Sequence, residues 1–197
     1  MAAVGRPPEG RAGIRIARCR EIQPQLQSGG VIGAVASAAF GDRCRPVRVV
    51  LFDKSAGFNW ALGWHQDRTI CVEERREVAG FGPWTVKDSR PHVEPPFEII
   101  ENMFTLRVHL DDVASHNGPL LIAPGSHRLG RVPVEAIEAA VRGCGTHACT
   151  ARAGDVWIYS TPILHASERA ARPARRRVLQ IDYSRDELPD GLCWAGI

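Results

Sequence analysis

The chain has 197 residues, 44% hydrophobic and 24% charged, the size and balance of a single soluble domain that buries a core without staples. Its formal net charge of +3 is too mild to argue for a nucleic-acid partner, and no apolar run is long enough to cross a membrane. Cys19, Cys44, Cys71, Cys144, Cys149 and Cys193 form no C-x-x-C pair and no disulfide framework, so they read as reduced thiols of a cytoplasmic protein.

Met1 to about Arg20 is rich in Gly, Pro, Arg and Ala and reads as a loose arm, leaving residues 21–197 as one domain. Ser28 is placed to cap a helix that runs to about Phe40 and ends at Gly41-Asp42. Val31 to Phe40 is apolar enough to resemble the core of a signal peptide. It lies behind an Arg/Pro/Gly-rich segment with few basic residues just before it, so a buried or amphipathic helix is the better reading. Pro46 then precedes a strand over Val47 to Asp53, rich in β-branched residues, and Ser55 to Phe58 is a turn.

The next stretch, Asn59 to Asp67, ends in His-x-Asp. On an extended segment His65 and Asp67 project to one side and Gln66 to the other. An imidazole and a carboxylate on one face are two thirds of the 2-His-1-carboxylate set that leaves open positions on non-haem Fe(II). Alone, the tripeptide reads better as a half-buried strand end whose His and Asp hydrogen-bond each other, because it is common by chance.

Arg68 to Phe97 is the least regular part. It offers a short strand at Thr69 to Val72, a charged run from Glu73 to Glu77, the loop Gly80-Phe81-Gly82-Pro83-Trp84 and the exit His92-Val93-Glu94-Pro95-Pro96. A long loop in a compact domain commonly covers a site. The expectation is a mobile lid whose Phe81 or Trp84 touches substrate, with Gln66 as a further contact. A surface excursion packed for stability alone competes on nearly equal terms.

Phe104 to Leu110 alternates cleanly, with Thr105, Arg107 and His109 on one face. That face lines a wet cavity or meets solvent. A polar loop to Asn117, a short strand over Gly118 to Ala123 and a tight turn at Pro124-Gly125-Ser126-His127 follow. Pro133 to Arg142 has helical spacing. Cys144-x-x-His147-x-Cys149 supplies only three ligands at a nonstandard spacing and reads as ordinary loop. Gly154-Asp155 turns into a buried strand at Val156 to Tyr159. Pro162 to Ser167, an Arg-rich loop and a last strand at Arg177 to Tyr183 complete the chain. Many short strands with Gly/Pro turns and few helices indicate a mainly β sandwich or barrel, jelly roll favoured.

Among the histidines, His92 and His116 lie in polar, loop-like surroundings, His147 sits among glycine and cysteine, and His127 belongs to a turn where it would bond the backbone. His109 and His165 remain as third ligands, both far along the chain from His65, as a site built from two converging strands requires.

Four stretches together carry a resemblance: Asn59 to Asp67 (NWALGWHQD), Asn117 to His127 (NGPLLIAPGSH), Gly154-Asp155, and His165-Ala166-Ser167 with Arg176 eleven residues after the histidine. In that order they resemble the phytanoyl-CoA dioxygenase family of Fe(II)- and 2-oxoglutarate-dependent oxygenases, over about Val47 to Tyr183. The resemblance implies a double-stranded β-helix of the jelly-roll, cupin-like kind, with an N-terminal helix and a short helix near 133–142. It implies His65, Asp67 and His165 as iron ligands, and Arg176 with Ser167 on the distal carboxylate of 2-oxoglutarate. A planar, permanently charged guanidinium suits that task, and Arg176 shares its face with Val178 and Gln180. Thr105 and Arg107 fall where members carry cofactor contacts, although Arg107 departs from the aromatic residue often found there. The implied activity is oxidation of a small molecule by O2, most simply hydroxylation, with release of succinate and CO2; Asp67 argues against halogenation. Two rivals remain: a non-catalytic metal- or ligand-binding jelly roll, and a cupin-type metalloenzyme without 2-oxoglutarate, in which Arg176 has no task. No nucleic acid or membrane partner is expected.

Overall fold

The computed structural model describes residues 13–17 and 19–197. In chain order its strands are β1 (Ile14–Ile16), β2 (Arg45–Lys54), β3 (Leu62–His65), β4 (Ile70–Cys71), β5 (Trp84–Lys87), β6 (Arg90–Val93), β7 (Phe104–His109), β8 (Leu120–Ile122), β9 (His147–Cys149), β10 (Val156–Ser160), β11 (His165–Ser167) and β12 (Arg176–Ser184). Four α-helices intervene among the described residues: α1 (Gln23–Leu26), α2 (Val31–Phe40), α3 (Phe97–Glu101) and α4 (Ile137–Cys144). The strands form a five-stranded sheet, β1-β2-β12-β7-β10, a four-stranded sheet, β3-β11-β8-β9, and a three-stranded sheet, β4-β6-β5. All pairings are antiparallel. This is the expected mainly β jelly roll, with open sheet edges rather than a closed barrel.

The period of two divides the large sheet into two chemistries. Val49 and Leu51 of β2, Leu106 of β7 and Leu179 and Ile181 of β12 join Leu26 and Ala36 of the helices in one apolar cluster. Each fully buried side chain of this kind contributes about 1.5–3 kcal/mol. The opposite face carries Arg48 and Lys54, Arg107 and His109, and Arg176, Gln180 and Asp182, all but Arg48 buried below a tenth of their surface. The polar face of β7 therefore points into the molecule, not to solvent.

Several expectations need correction. Residues 1–12 and Arg18 lie outside the described residues, but Ile14–Ile16, placed in the loose arm, pairs with Val49–Leu51 as an edge strand. Ser28 does not cap α2. Gly30 is the N-cap and no side chain bonds there, because the chain turns tightly out of α1: a Cβ on Gly33 would lie 1.8 Å from the Gln27 carbonyl oxygen. The segment after Arg68 is no open loop, since β5 and β6 form a hairpin closed by Asp88 and Ser89, both at positive φ. His92 lies on β6 and is fully buried. His147–Cys149 is a strand paired with β8, and all six cysteines are free thiols. No helix among the described residues is long and apolar enough to cross a membrane.

Candidate metal centre

Strand pairing assembles the site. His165 at the start of β11 stands directly opposite His65 at the end of β3, and the two rings lie 4.3 Å apart between centroids. Each Nδ1 is tied to the carbonyl two residues earlier, His65 to Gly63 at 2.7 Å and His165 to Ile163 at 2.9 Å. A carbonyl only accepts, so both Nδ1 atoms carry the proton and both Nε2 lone pairs are left for a ligand. Burial pushes the His165 imidazole down to about 4 against the pull of Asp67, which keeps the ring neutral, as a metal requires. One donor atom from each of His65, Asp67 and His165 lies within 4.8 Å of the others, and no other such cluster exists among the described residues. His109, the sequence rival, is not part of it.

Asp67 is held from behind. Arg48 donates Nη2–H to its Oδ2 at 2.7 Å and Nε–H to Asp182 Oδ2. Burial would raise the Asp67 carboxyl, but Arg48 and the two histidines hold it well below the usual range. Asp182 goes the other way: burial raises it, despite Arg48. Asp182 also accepts from Thr105 at 2.9 Å, while Arg107 donates to Gln180 at 2.8 Å and Gln180 to Asp182 at 3.3 Å. A buried polar chain thus runs from Arg107 through Gln180, Asp182 and Arg48 to Asp67.

The triad opens on a cavity of about 480 Å³, within the ~300–1,000 Å³ usual for small-molecule sites. Ser167, Arg107 and Arg176 line it with the triad. Arg176 is 2% exposed and its Nε has no partner; Arg107 Nε is also unpartnered, and the guanidinium lies over Phe52. Burial, then Arg107, holds Arg176 down to about 10, which leaves it charged at neutral pH. Two buried guanidiniums without a carboxylate suit an anion. Arg175 and Arg177 point outward to Asp53 and Asp111.

Other expected contacts lie elsewhere. Thr105 is buried behind the cavity wall as a support for Asp182. Gln66 is a clamp: its amide bonds the carbonyls of Gly130 and Pro162 and accepts from Val132 N–H. Phe81 is buried in the cluster of β4, β6 and α3, and Trp84 packs against that cluster. Neither lines the cavity, because the hairpin turns its aromatics toward its own core. His127 Nδ1 has no hydrogen-bond partner, contrary to the expected backbone bond.

Two further residues support the site, Arg48 and Lys54, and neither carries a motif. Lys54 stands opposite Arg176, and its Nζ donates to Glu168 O at 2.7 Å and Ser167 Oγ at 3.3 Å. Burial, then Arg176, lowers it to about 8. Gly118, in the NGPLLIAPGSH stretch, has φ +57, and a Cβ there would lie 2.7 Å from the carbonyl Lys54 uses. Both residues share the strand parity of Val50 and Phe52, the available signal.

The sequence matches the family model described as phytanoyl-CoA dioxygenase (PhyH) over residues 34–178. No curated protein matches it. Among solved structures it is similar to apo EctD from S. alaskensis, with TM-score 0.62, 19% identity and coverage of 88% of this chain and 56% of that one. It is similar to AviO1 from Streptomyces viridochromogenes Tue57, with TM-score 0.54, 25% identity and coverage of 80% and 58%. HygX from Streptomyces hygroscopicus, solved with nickel and 2-oxoglutarate bound, gives TM-score 0.54, 16% identity and coverage of 90% and 71%. The chain therefore spans little more than half the length of EctD and AviO1. With the model matched over most of its length, the chain belongs to the phytanoyl-CoA dioxygenase family.

Proposed function

We propose that the protein is a non-haem iron oxygenase that uses 2-oxoglutarate and O2 to oxidise a small molecule, hydroxylation being the simplest outcome. The observation that carries this reading is the pairing, in one cavity, of a 2-His-1-carboxylate triad with the buried Arg176–Arg107 pair. Either element alone would suit a binding module or a cupin-type metalloenzyme.

His65 Nε2, His165 Nε2 and an Asp67 oxygen would hold the iron, and the tautomers fixed by Gly63 and Ile163 fit that role. Iron bound there supplies O2 activation coupled to oxidative decarboxylation of 2-oxoglutarate to succinate and CO2. Arg48 fixes the rotation of the Asp67 carboxylate, and Arg176 with Ser167 receives the distal carboxylate of 2-oxoglutarate. Arg107, on the same face, adds charge along the floor. HygX binds nickel and 2-oxoglutarate in its solved form, and this chain's donor set is compatible with both.

The test is calorimetric titration of Mn(II) and then 2-oxoglutarate, followed by succinate release with Fe(II). Wild type is expected to bind both in that order, and Asp67→Ala to lose most metal affinity while keeping the circular dichroism of the fold. Metal binding without 2-oxoglutarate binding would overturn the reading in favour of the cupin-type alternative. Neither would favour a non-catalytic module.

A further inference from the structure

The cavity carries more positive charge than the proposed reaction uses. Five basic side chains line it, Arg15, Arg48, Lys87, Arg107 and Arg176, against the carboxylates of Asp67 and Asp88. Arg48 is engaged by Asp67 and Asp182, and Arg15 bonds Asp88 at 2.7 Å. Arg107 and Arg176 are the pair assigned to 2-oxoglutarate. Lys87 remains. Its Nζ donates to Thr69 Oγ1 at 3.0 Å, and it makes no ion pair with any carboxylate among the described residues.

Lys87 does not belong to the Arg176 end. On β2, Arg176 stands opposite Lys54, whereas Arg15 stands opposite Val50, four residues and roughly 13 Å back along the strand. Lys87 keeps company with Arg15, Arg48 and Asp67, which are among the groups that act on it. The cations thus form two groups, one at the Arg176 end and one where β1 meets the Asp88–Ser89 turn. Burial, then Arg48 and Arg15, holds Lys87 below the ordinary lysine range, against the pull of Asp67, so the cations around it outweigh the one carboxylate that acts on it.

Loading the site does not relieve this. A divalent metal and the 2-oxoglutarate dianion cancel, so the cavity holding both keeps its surplus. A partly buried ammonium without an ion-pair partner is costly and becomes favourable when an anion meets it. Resting on the function proposed above, we infer that the oxidised substrate is itself an anion, a carboxylate or phosphate monoester, whose charged group docks on Lys87 beside Arg15. A neutral substrate of the same shape would leave Lys87 unmatched, so the pair sets specificity for charge.

The experiment uses protein loaded with Mn(II) and saturating 2-oxoglutarate, so that the Arg176 end is filled and no turnover occurs. It is offered a panel of short-chain carboxylic acids, phosphate monoesters and their matched amides and alcohols, and retained compounds are read by mass spectrometry. Anions are expected to be retained over their neutral counterparts, and the acid and phosphate arms show which anion is preferred. Lys87→Met should weaken the retained anions roughly tenfold, Lys87→Arg should restore them, and Arg15→Met should give a smaller loss. Retention of neutral compounds, no anion-dependent retention anywhere in the panel, or retention unmoved by Lys87→Met would overturn the inference. The 2-oxoglutarate dissociation constant, measured separately, reports on the function itself: its failure in wild type sinks that reading without deciding whether Lys87 selects anions.

Discussion

Replacing Arg48 by methionine tests how Asp67, the proposed metal ligand, is held. The side chain is 13% exposed and bonds two carboxylates, Asp67 and Asp182, the latter 1% exposed. Methionine keeps much of the volume and removes the charge, leaving two acids close together with no cation between them. Breaking one side of a buried ion pair costs about 3–5 kcal/mol, and at about 2–4 °C per kcal/mol for a chain of this size the melting temperature falls by roughly 6–20 °C. Removing one of the stranded acids should return part of this, so Arg48→Met with Asp182→Asn is expected to be more stable than Arg48→Met alone by roughly 1–3 kcal/mol. Urea unfolding of the metal-free protein measures both. The same substitution frees the Asp67 carboxylate to rotate, and Mn(II) affinity should drop roughly 10–100-fold. A stability loss under about 1 kcal/mol together with unchanged Mn(II) affinity would refute the argument. Lost stability with unchanged affinity would make Arg48 a structural residue that does not position the ligand.

Arg176→Lys substitutes a point charge for a planar fork and should raise the 2-oxoglutarate dissociation constant roughly tenfold or more by calorimetry; an unchanged value would move the anchor to Arg107. Trp84→Ala should lower stability by about 1–3 kcal/mol and leave 2-oxoglutarate consumption coupled to product, since the ring packs on the hairpin's own core; uncoupling without lost stability would restore the lid. Burial holds His109 at about 4, against an ordinary 6.5. The folded state therefore binds that proton less readily than the unfolded chain, so this stability is full above about pH 6.5 and drains as pH falls toward 4, by at most about 1.4 kcal/mol per pH unit. Denaturant titrations should show a shallower slope in His109→Gln, and an identical slope would exclude the assignment.

The site was legible where strand parity speaks. A period of two puts His65 and Asp67 on one face and Arg176 inward between outward neighbours, and all three line the cavity, although β3 itself ends at His65. The same parity left the polar face of β7 undecided, because an inward polar face and a solvated one read alike until the other sheet is known. Arg48 and Lys54 share the phase of Val50 and Phe52, but the β-branched residues dominate the signal of this strand, and Lys54 lies one residue beyond the expected end at Asp53. The hairpin of β5 and β6 was hidden because Asp88 and Ser89 take positive φ without glycine, the usual signal for such a turn. β1 was hidden by an arm composition that pairs with a neighbour instead of forming a core of its own.

The arginine run at the start of β12 bears on how this strand tolerates change. A slip of one residue against β2 would turn Arg175 and Arg177 into the cavity, withdraw Arg176, and move Val178 and Gln180 to the helix side, a penalty paid at every position at once. The charges thus act as a lock on alignment during assembly, apart from the binding role proposed for Arg176. A single insertion or deletion inside β12 would undo the site and the apolar core together.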